Sequence, residues 1–295
     1  MYGCARTIHI AGVVFLCPPL FEVAGSARYT GAAMKVFVII PAAGLGTRMG
    51  AALAGTGPLR SKQFLELDGV PILVHTIRKF AACEQVDSIW IALRKTEIET
   101  FAPTLDAAGI AKPVHLVEGG EHRQESVGNV LDTLPAETAD LVLIHDAVRP
   151  FVSPETILEV IESVQRYGAA IAGVPAIDTI KRVERRADGA VVEATIPREQ
   201  IVQAQTPQGF RYGLLMPIFN QARIEGFQGT DEASLLERAG HPVHVVMGSA
   251  RNFKITTPAD LQLAEFFLAQ EQRRSQPANA RNAEDKSAEK QGVTR

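Results

Sequence analysis

The sequence predicts an α/β fold, a Rossmann-like, doubly wound and mostly parallel sheet with a projecting β-hairpin. Three observations lead there. Apolar, β-branched runs recur at 35–41, 88–93, 114–117, 141–145 and 169–175. The segments between them are long enough for helices, and such alternation implies parallel pairing through crossovers. Glycine- and charge-rich motifs then follow the carboxyl ends of these runs, where an open α/β sheet binds its ligands.

Composition bounds the rest. With 295 residues, 46% of them hydrophobic, the chain can bury one large domain. A formal charge of -3 and a pI near 6.2 leave no global basic field, which argues against nucleic acid and for a local anion site. Cys4, Cys17 and Cys83 have neither metal-ligand spacing nor an even disulfide framework, and the apolar runs are too short to span a bilayer. A reducing, cytoplasmic setting without a membrane partner is the expectation. His241 and His244 form the one close histidine pair, and the alternation around Val243, Val245 and Val246 reads them as parts of a strand rather than a metal site.

In chain order, residues 8–21 are apolar and follow Arg6, in the manner of a signal peptide. Pro18 and Pro19 interrupt that run and Met34 leads directly into the first strand, so 1–33 is read as an N-terminal extension, disordered or upstream of a functional start at Met34. The strand stops at Pro41 and passes into Gly44-Leu-Gly46-Thr-Arg48. Gly44 and Gly46 permit close backbone approach, so successive N–H groups can face an anion, and Arg48 adds a fixed charge. A late third glycine and a missing acidic residue argue against a dinucleotide fingerprint, and the absence of Gly-Lys-Ser/Thr argues more strongly against a Walker loop. A nucleoside triphosphate is the first ligand to consider.

Beyond a Gly- and Ala-rich stretch at 50–60, Ser61-Lys-Gln-Phe precedes Pro71, which suits the first turn of a helix carrying Ile72, Leu73, Thr76, Ile77 and Phe80. His75 in that helix reads as a packed or surface residue. Gly119-Gly-Glu-His-Arg-Gln-Glu-Ser follows the third strand, and Asp146-Ala-Val-Arg-Pro the fourth. Short β runs at 179–183 and 191–195 flank Asp188-Gly189, a hairpin signal. The two open edges of such an arm call for a partner, and a second subunit is the economical one. Helices are expected over 214–224, from about 230 and over 261–268, and a strand over 243–247, whereas the polar chain from about 270 reads as a solvated tail.

Nucleotidyl transfer needs positive charge around the reacting phosphorus and a divalent metal for the leaving pyrophosphate. Arg48 and Lys62 can supply charge, although a loop lysine is ordinarily a solvated one. Asp146, ending a hydrophobic strand, requires a cation: Arg149 in a structural pair, or Mg²⁺ and substrate hydroxyls. Lys181, Arg182, Arg185 and Arg186 make the hairpin basic, which is usually a solvated face. Lys254 stands in an otherwise Asn-Phe-Ile connection.

Eight motifs in order then carry a resemblance: Pro-Ala-Ala-Gly-Leu-Gly-Thr-Arg-Met at 41–49, Ser-Lys-Gln-Phe at 61–64, Gly-Gly-Glu-His-Arg-Gln-Glu-Ser-Val at 119–127, His-Asp-Ala-Val-Arg-Pro at 145–150, Asp-Thr-Ile-Lys at 178–181, Gln-Thr-Pro-Gln at 205–208, Thr-Asp-Glu-Ala-Ser at 230–234 and Asn-Phe-Lys-Ile-Thr at 252–256. The chain resembles the 2-C-methyl-D-erythritol 4-phosphate cytidylyltransferases of the non-mevalonate isoprenoid pathway over about 34–268. The resemblance implies that CMP passes from CTP to the 4-phosphate of methylerythritol with Mg²⁺ as cofactor. It implies catalytic roles for Arg48, Lys62, Arg198 and Lys254. CTP contacts are implied for Pro41, Ala42, Ala43, Gly44, Gly46, Gly120, Glu121, Arg123, Ser126 and Ala147. Substrate contacts fall to Asp146, Arg149, Thr179 and Thr206, with Asp146 also the metal candidate.

The resemblance further implies a homodimer that exchanges its arm, so that Thr179 and Arg198 serve the partner's site. The implied organisation is an extension at 1–33, a cytidylyltransferase domain at 34–269 with its arm at about 176–198, and a tail at 270–295. Ser61 departs from the family, where a proline commonly precedes the lysine, and the 50–60 loop is long. Ribitol 5-phosphate cytidylyltransferases are the neighbouring alternative, with Thr230-Asp-Glu-Ala-Ser nearer the methylerythritol enzymes. A non-catalytic nucleotide-binding regulator predicts a broken charge set, whereas Arg48, Lys62, Asp146, Arg198 and Lys254 are all present.

Overall fold

The computed structural model describes residues 9–10, 13–14, 34–44 and 61–275. Within 1–33 the described residues are 9–10 and 13–14, an antiparallel pair; the rest of that extension, Gly46 and Arg48 in the phosphate loop, the 50–60 loop and the tail beyond 275 lie outside the described residues.

Strand β1 (Val36–Pro41) has five of its six residues buried and pairs parallel on both edges. A strand apolar on both faces is what a sheet covered by helices on both sides requires. After β1 the chain forms a two-strand turn, β2 (Glu66–Leu67) with β3 (Val70–Pro71), and enters α1 (Ile72–Ala81) with Pro71 as N-cap. There follow β4 (Ser88–Leu93), α2 (Lys95–Ala107), β5 (Val114–Glu118), α3 (Arg123–Leu131), β6 (Leu141–Ile144), α4 (Pro154–Tyr167) and β7 (Ala169–Pro175). Helix α4 is closed at both ends by local chemistry. The Ser153 side chain accepts the Thr156 N–H, Pro154 takes the first turn, and Gly168 sits at φ 88° past the last.

The second half adds β10 (Val202–Arg211), α5 (Tyr212–Ile224), α6 (Glu232–Arg238), β11 (His244–Met247) and α7 (Pro258–Ser275). The seven-stranded sheet has the order β11-β7-β10-β6-β1-β4-β5. The pairs β11–β7, β6–β1, β1–β4 and β4–β5 run parallel, and β10 runs antiparallel to β6. From β1 the chain runs outward to β4 and β5, then returns to β6 on the other side of β1. The winding therefore reverses between β1 and β6, and the crevice beyond their carboxyl ends is where a ligand site is expected.

On one face, Phe37, Ile39, Val142 and Ile144 meet Val127, Val130, Leu215, Phe219 and Leu235 from α3, α5 and α6. A separate cluster of Leu67, Ile72, Val148, Phe151, Ile255 and Ala264 seats α7 against the loops that follow β1 and β6. Helix α7 runs on to Ser275, past the end of its apolar period, because Lys79–Glu271 (2.8 Å) and Gln272–Asp68 (2.7 Å) hold its last turns by polar contacts. Strand β10 was hidden in the sequence by Gln205, Thr206 and Gln208. All three are buried, with their polar atoms bonded to Ser249, His145 and Asp231 respectively.

The segment Pro175–Gln203 falls in a second compact unit. Strands β8 (Ile180–Arg186) and β9 (Gly189–Ile196) form an antiparallel hairpin with Arg186 opposite Gly189. The turn is thus Ala187–Asp188, one residue earlier than Asp188-Gly189 suggested, with Gly189 taking φ 144° as the chain re-enters the ladder. The Arg198 guanidinium donates to the Ile177 carbonyl (2.7 Å), and the Ala176 N–H to the Ile201 carbonyl (3.1 Å), closing the base of the arm.

Candidate active site

The chain leaves β1 as Pro41-Ala-Ala-Gly44 and leaves β6 as His145-Asp-Ala-Val148, and these two exits border a cleft of about 150 Å³. Lys62, Gln63, Arg123, Ser126 and Lys254 complete its lining. Ten sequence candidates therefore meet here: Pro41, Ala42, Ala43, Gly44, Lys62, Arg123, Ser126, Asp146, Ala147 and Lys254. A larger hollow of about 450 Å³ between α5 and α6, lined by Pro217, Phe227 and Arg238 among others, contains none of them.

Tight packing draws the walls together. A Cβ on Gly119 would lie 2.6 Å from the Ala43 Cβ, so only glycine lets the loop after β5 approach the β1 exit this closely. That loop is tied down by Ser126, whose hydroxyl accepts the Gly120 N–H (3.1 Å) and donates to the His122 carbonyl (3.1 Å). Glu125 accepts the Glu121 N–H (2.9 Å), which leaves the Glu121 side chain exposed. Opposite, the Gln63 amide donates to the Ala42 carbonyl (2.5 Å) and the Ala42 N–H to the Ala92 carbonyl (2.8 Å).

Asp146 is the electrostatic centre. Its Oδ2 lies 3.0 Å from Arg149 Nε and 3.0 Å from Lys254 Nζ, and its Oδ1 lies 3.6 Å from Arg123 Nε. Burial alone would raise its pKa, but Lys254, Arg123 and Arg149 outweigh burial and hold it well below the usual carboxylate range. Arg123 is itself gripped by Glu232, whose two oxygens accept from Nη1 at 2.8 and 2.7 Å. Burial would lower Arg123, yet Glu232 and Asp146 raise it, while burial lifts Glu232 against the pull of Arg123. Among the described residues that line the cleft, Lys62, Arg123 and Lys254 exceed Asp146 by two positive charges, a local excess suited to a polyanion.

Behind Asp146 lies a buried relay. The His145 Nε2–H donates to the Arg149 carbonyl (3.1 Å), so its Nδ1 is the acceptor, taking the Thr206 hydroxyl proton at 3.0 Å. Thr206 Oγ1 in turn accepts the Asp146 N–H (3.1 Å). Burial lowers the His145 pKa to about 4 and keeps this tautomer neutral. Thr206 thus supports Asp146 from behind the cleft. Asn252 donates to the Thr206 carbonyl (2.7 Å) and offers its own carbonyl to Arg149 (2.7 Å). Phe253 stacks on Phe151 with ring centroids 5.8 Å apart and the Ile255 N–H donates to Val148 (3.0 Å); these anchors leave Lys254, between them, to reach Asp146.

The structural Asp146–Arg149 pair read from the sequence exists, and it is one of three cation contacts to that carboxylate. Lys62 is half-buried at the cleft rather than solvated. Thr179 and Arg198 belong to the arm unit. His75 packs against the Leu67 carbonyl (3.0 Å), and His244 stacks on Tyr167, 3.7 Å between centroids. Gln63, His145, Glu232 and Asn252 were not singled out as functional in the sequence. Each makes a long-range hydrogen bond, and the signal all four left is their place inside the motifs at 61–64, 145–150, 230–234 and 252–256.

An open α/β sheet with a glycine at the β1 exit and a cation-ringed carboxylate at its switch point fits the class of nucleotidyltransferases. Within it, the family model described as 2-C-methyl-D-erythritol 4-phosphate cytidylyltransferase matches residues 36–270. The chain belongs to that family. The enzyme of this name from Acidobacterium capsulatum is 55% identical over 80% of this chain and 98% of its own, and that of Solibacter usitatus 49% identical over 82% and 99%. The crystal structure of the Francisella tularensis 2-C-methyl-D-erythritol 4-phosphate cytidylyltransferase superposes with a TM-score of 0.66 at 33% identity, covering 79% of this chain and 99% of that one.

Proposed function

We infer that the protein transfers CMP from CTP to 2-C-methyl-D-erythritol 4-phosphate, giving 4-diphosphocytidyl-2-C-methyl-D-erythritol and pyrophosphate in the non-mevalonate isoprenoid pathway. The observation that carries this reading is the family match across 36–270, with the family's motif residues converging on one cation-rich cleft. A 4-phosphate oxygen attacks the α-phosphorus of CTP, the bond from that phosphorus to the bridging oxygen breaks, and pyrophosphate departs with the electron pair. Lys62 supports the charge that develops on the α-phosphoryl oxygens, together with Arg48. The backbone at Ala42–Gly44 and the Gly120–Ser126 loop receives the nucleotide. Arg149 and Lys254 steer the incoming phosphate, and Asp146 holds those cations apart in the geometry the substrates meet.

Mg²⁺ is the proposed cofactor, and the residues fit it in a limited way. No group of three or more His, Cys, Asp or Glu side chains suited to a metal exists among the described residues. Asp146 has Oδ2 engaged twice at 3.0 Å, while its Oδ1 lies 3.6 Å from Arg123 Nε. One carboxylate oxygen plus substrate phosphates is a common Mg²⁺ arrangement. The ion would neutralise the leaving pyrophosphate.

The arm is proposed to join two copies, which would bring Thr179 and Arg198 to the partner's substrates. Support comes from Val183, Val191 and Val192 on the hairpin, which are 41, 44 and 57% exposed. The setting proposed is cytoplasmic: no helix among the described residues is long and apolar enough to cross a membrane, and Cys83 is a buried free thiol. Purified protein given CTP, Mg²⁺ and each polyol phosphate tests the activity. Pyrophosphate release with methylerythritol phosphate is expected, whereas release with ribitol 5-phosphate alone, or with neither, overturns the assignment. Val192→Asp should shift sedimentation from dimer toward monomer; a wild-type monomer with full activity would refute the arm's role.

A further inference from the structure

We propose that Ser61, Arg94 and Glu97 form a latch that positions Lys62, so that Ser61 and Glu97 are positioning residues for the reaction; this rests on the role of Lys62 given above. Lys62 opens a three-residue 3₁₀ turn, Lys62–Phe64. A single turn of this kind has poor hydrogen-bond geometry and no cooperative stability of its own. Its position must be imposed by contacts outside it, and the residues on either side of Lys62 make them.

The Ser61 hydroxyl donates to Glu97 Oε1 (2.7 Å) and accepts from Arg94 Nη2. Arg94 and Glu97 are themselves paired at 2.6 Å. On the other side, Gln63 is bonded to the Ala42 carbonyl (2.5 Å), and Phe64 rests on Phe101 of α2 with centroids 5.4 Å apart. Ser61 and Gln63 are 4% and 2% exposed, while Lys62 between them lines the cleft. One attachment leads to the β1 exit and the other to Arg94, the residue that follows β4 and is the N-cap of α2. The lysine is thereby fixed to two adjacent central strands, the rigid placement that transition-state charge stabilisation requires.

Two features set the cluster apart from an ordinary surface ion pair. A hydroxyl with a carboxylate acceptor and a guanidinium donor makes charge-assisted bonds on both sides, which fixes its rotamer. Arg94 also keeps a buried Nε–H without a partner among the described residues. That is an unfavourable feature for a pair retained only for stability, and it is consistent with Arg94 being held in place by its end groups.

The test measures kcat, KM for CTP and thermal unfolding for Ser61→Ala, made both in the natural chain and in Lys62→Ala. If the latch places the lysine, Ser61→Ala lowers kcat about tenfold or more, because small misplacements of a catalytic group are costly. KM for CTP then moves by less than about twofold, and the kcat loss largely disappears when Lys62 is already gone, since coupled residues are non-additive. Should Ser61→Ala fold poorly, Glu97→Gln is read for the same pattern, because it removes the charge that fixes Arg94. An unchanged kcat in a folded Ser61→Ala, or an equal loss in both backgrounds, overturns the latch while leaving Lys62 in its role. An unchanged kcat in Lys62→Ala removes that role, and the latch with it.

Discussion

On the arm, Lys181, Arg182, Arg185 and Arg186 stand within one strand, with Glu184 and Glu193 for neighbours; at the cleft, Arg123, Arg149 and Lys254 arrive from three separate segments to meet one aspartate. The Arg182–Glu193 pair is 65% and 44% exposed on its two side chains, and Arg186–Glu184 is 54% on each. Asp146 is 10% exposed and Arg149 12%. Water and salt screen the first set, so each pair there is worth about 0–1 kcal/mol. The second set is only partly wet: Lys254 and Arg123 keep 36 and 29% of their side chains exposed, but the carboxylate they share with Arg149 is buried, and removing it leaves charge uncompensated. Density of charge along the sequence is therefore a poor guide to electrostatic importance in this chain. Convergence from distant positions is the better one.

The largest effect should come from breaking that convergence. Asp146→Asn keeps the shape but leaves three cations facing one another, and the protein should lose about 3–5 kcal/mol by urea denaturation, with activity abolished. A loss below about 1 kcal/mol would show the cleft to be as well screened as the arm. Next, Lys62→Ala should lower kcat by about 10²–10³ with little change in CTP affinity, the pattern of charge needed chiefly in the transition state. A raised KM at constant kcat would assign Lys62 to ground-state binding instead.

The relay behind Asp146 yields a pH dependence. His145 has a folded pKa of about 4 against 6.5 for the free side chain. Between these values the unfolded chain binds a proton that the folded chain refuses, so stability is fully present above about pH 6.5 and falls as pH drops toward 4, by up to about 3 kcal/mol. Burial lowers His75 as well and contributes in the same direction, so the informative quantity is the difference between the natural chain and His145→Asn. The variant should show the shallower decline from pH 7 to pH 5. Asp146 adds no slope in that window, because its pKa is depressed below the ordinary carboxylate range and its contribution fades only in stronger acid.

Local pattern made the frame of the molecule legible. The strands at Ser88–Leu93 and Ala169–Pro175 fall where the apolar runs lie, and the helix after Pro71 follows its i, i+3, i+4 spacing. Ten of the twelve residues lining the cleft were readable for the same reason, since motifs at strand ends are local. What escaped was polar and non-local. Strand β10 is built on glutamines and a threonine whose polar groups are satisfied 20 to 60 positions away, and burial of that kind leaves no periodicity. Glu232 looked like a first-turn acid, a sound role at a helix start, yet it is 1% exposed and belongs to Arg123. The end of α7 was missed because an ion pair and a side-chain hydrogen bond, rather than apolar spacing, hold it.

The smallest effect, and the sharpest contrast with Asp146→Asn, belongs to Arg182→Ala. It removes a cross-strand pair of 3.1 Å from a ladder whose backbone bonds remain, and its carboxylate partner is left in water rather than stranded. The expected change in stability is within about 0.5 kcal/mol, shrinking further at high salt. It should also be independent of protein concentration, because the exposed valines of the hairpin, not its ion pairs, are the surface on which two arms would associate. A loss above about 1 kcal/mol that deepens on dilution would place Arg182 inside a subunit contact. The arm's charges would then belong with those of the cleft, buried on assembly instead of on folding.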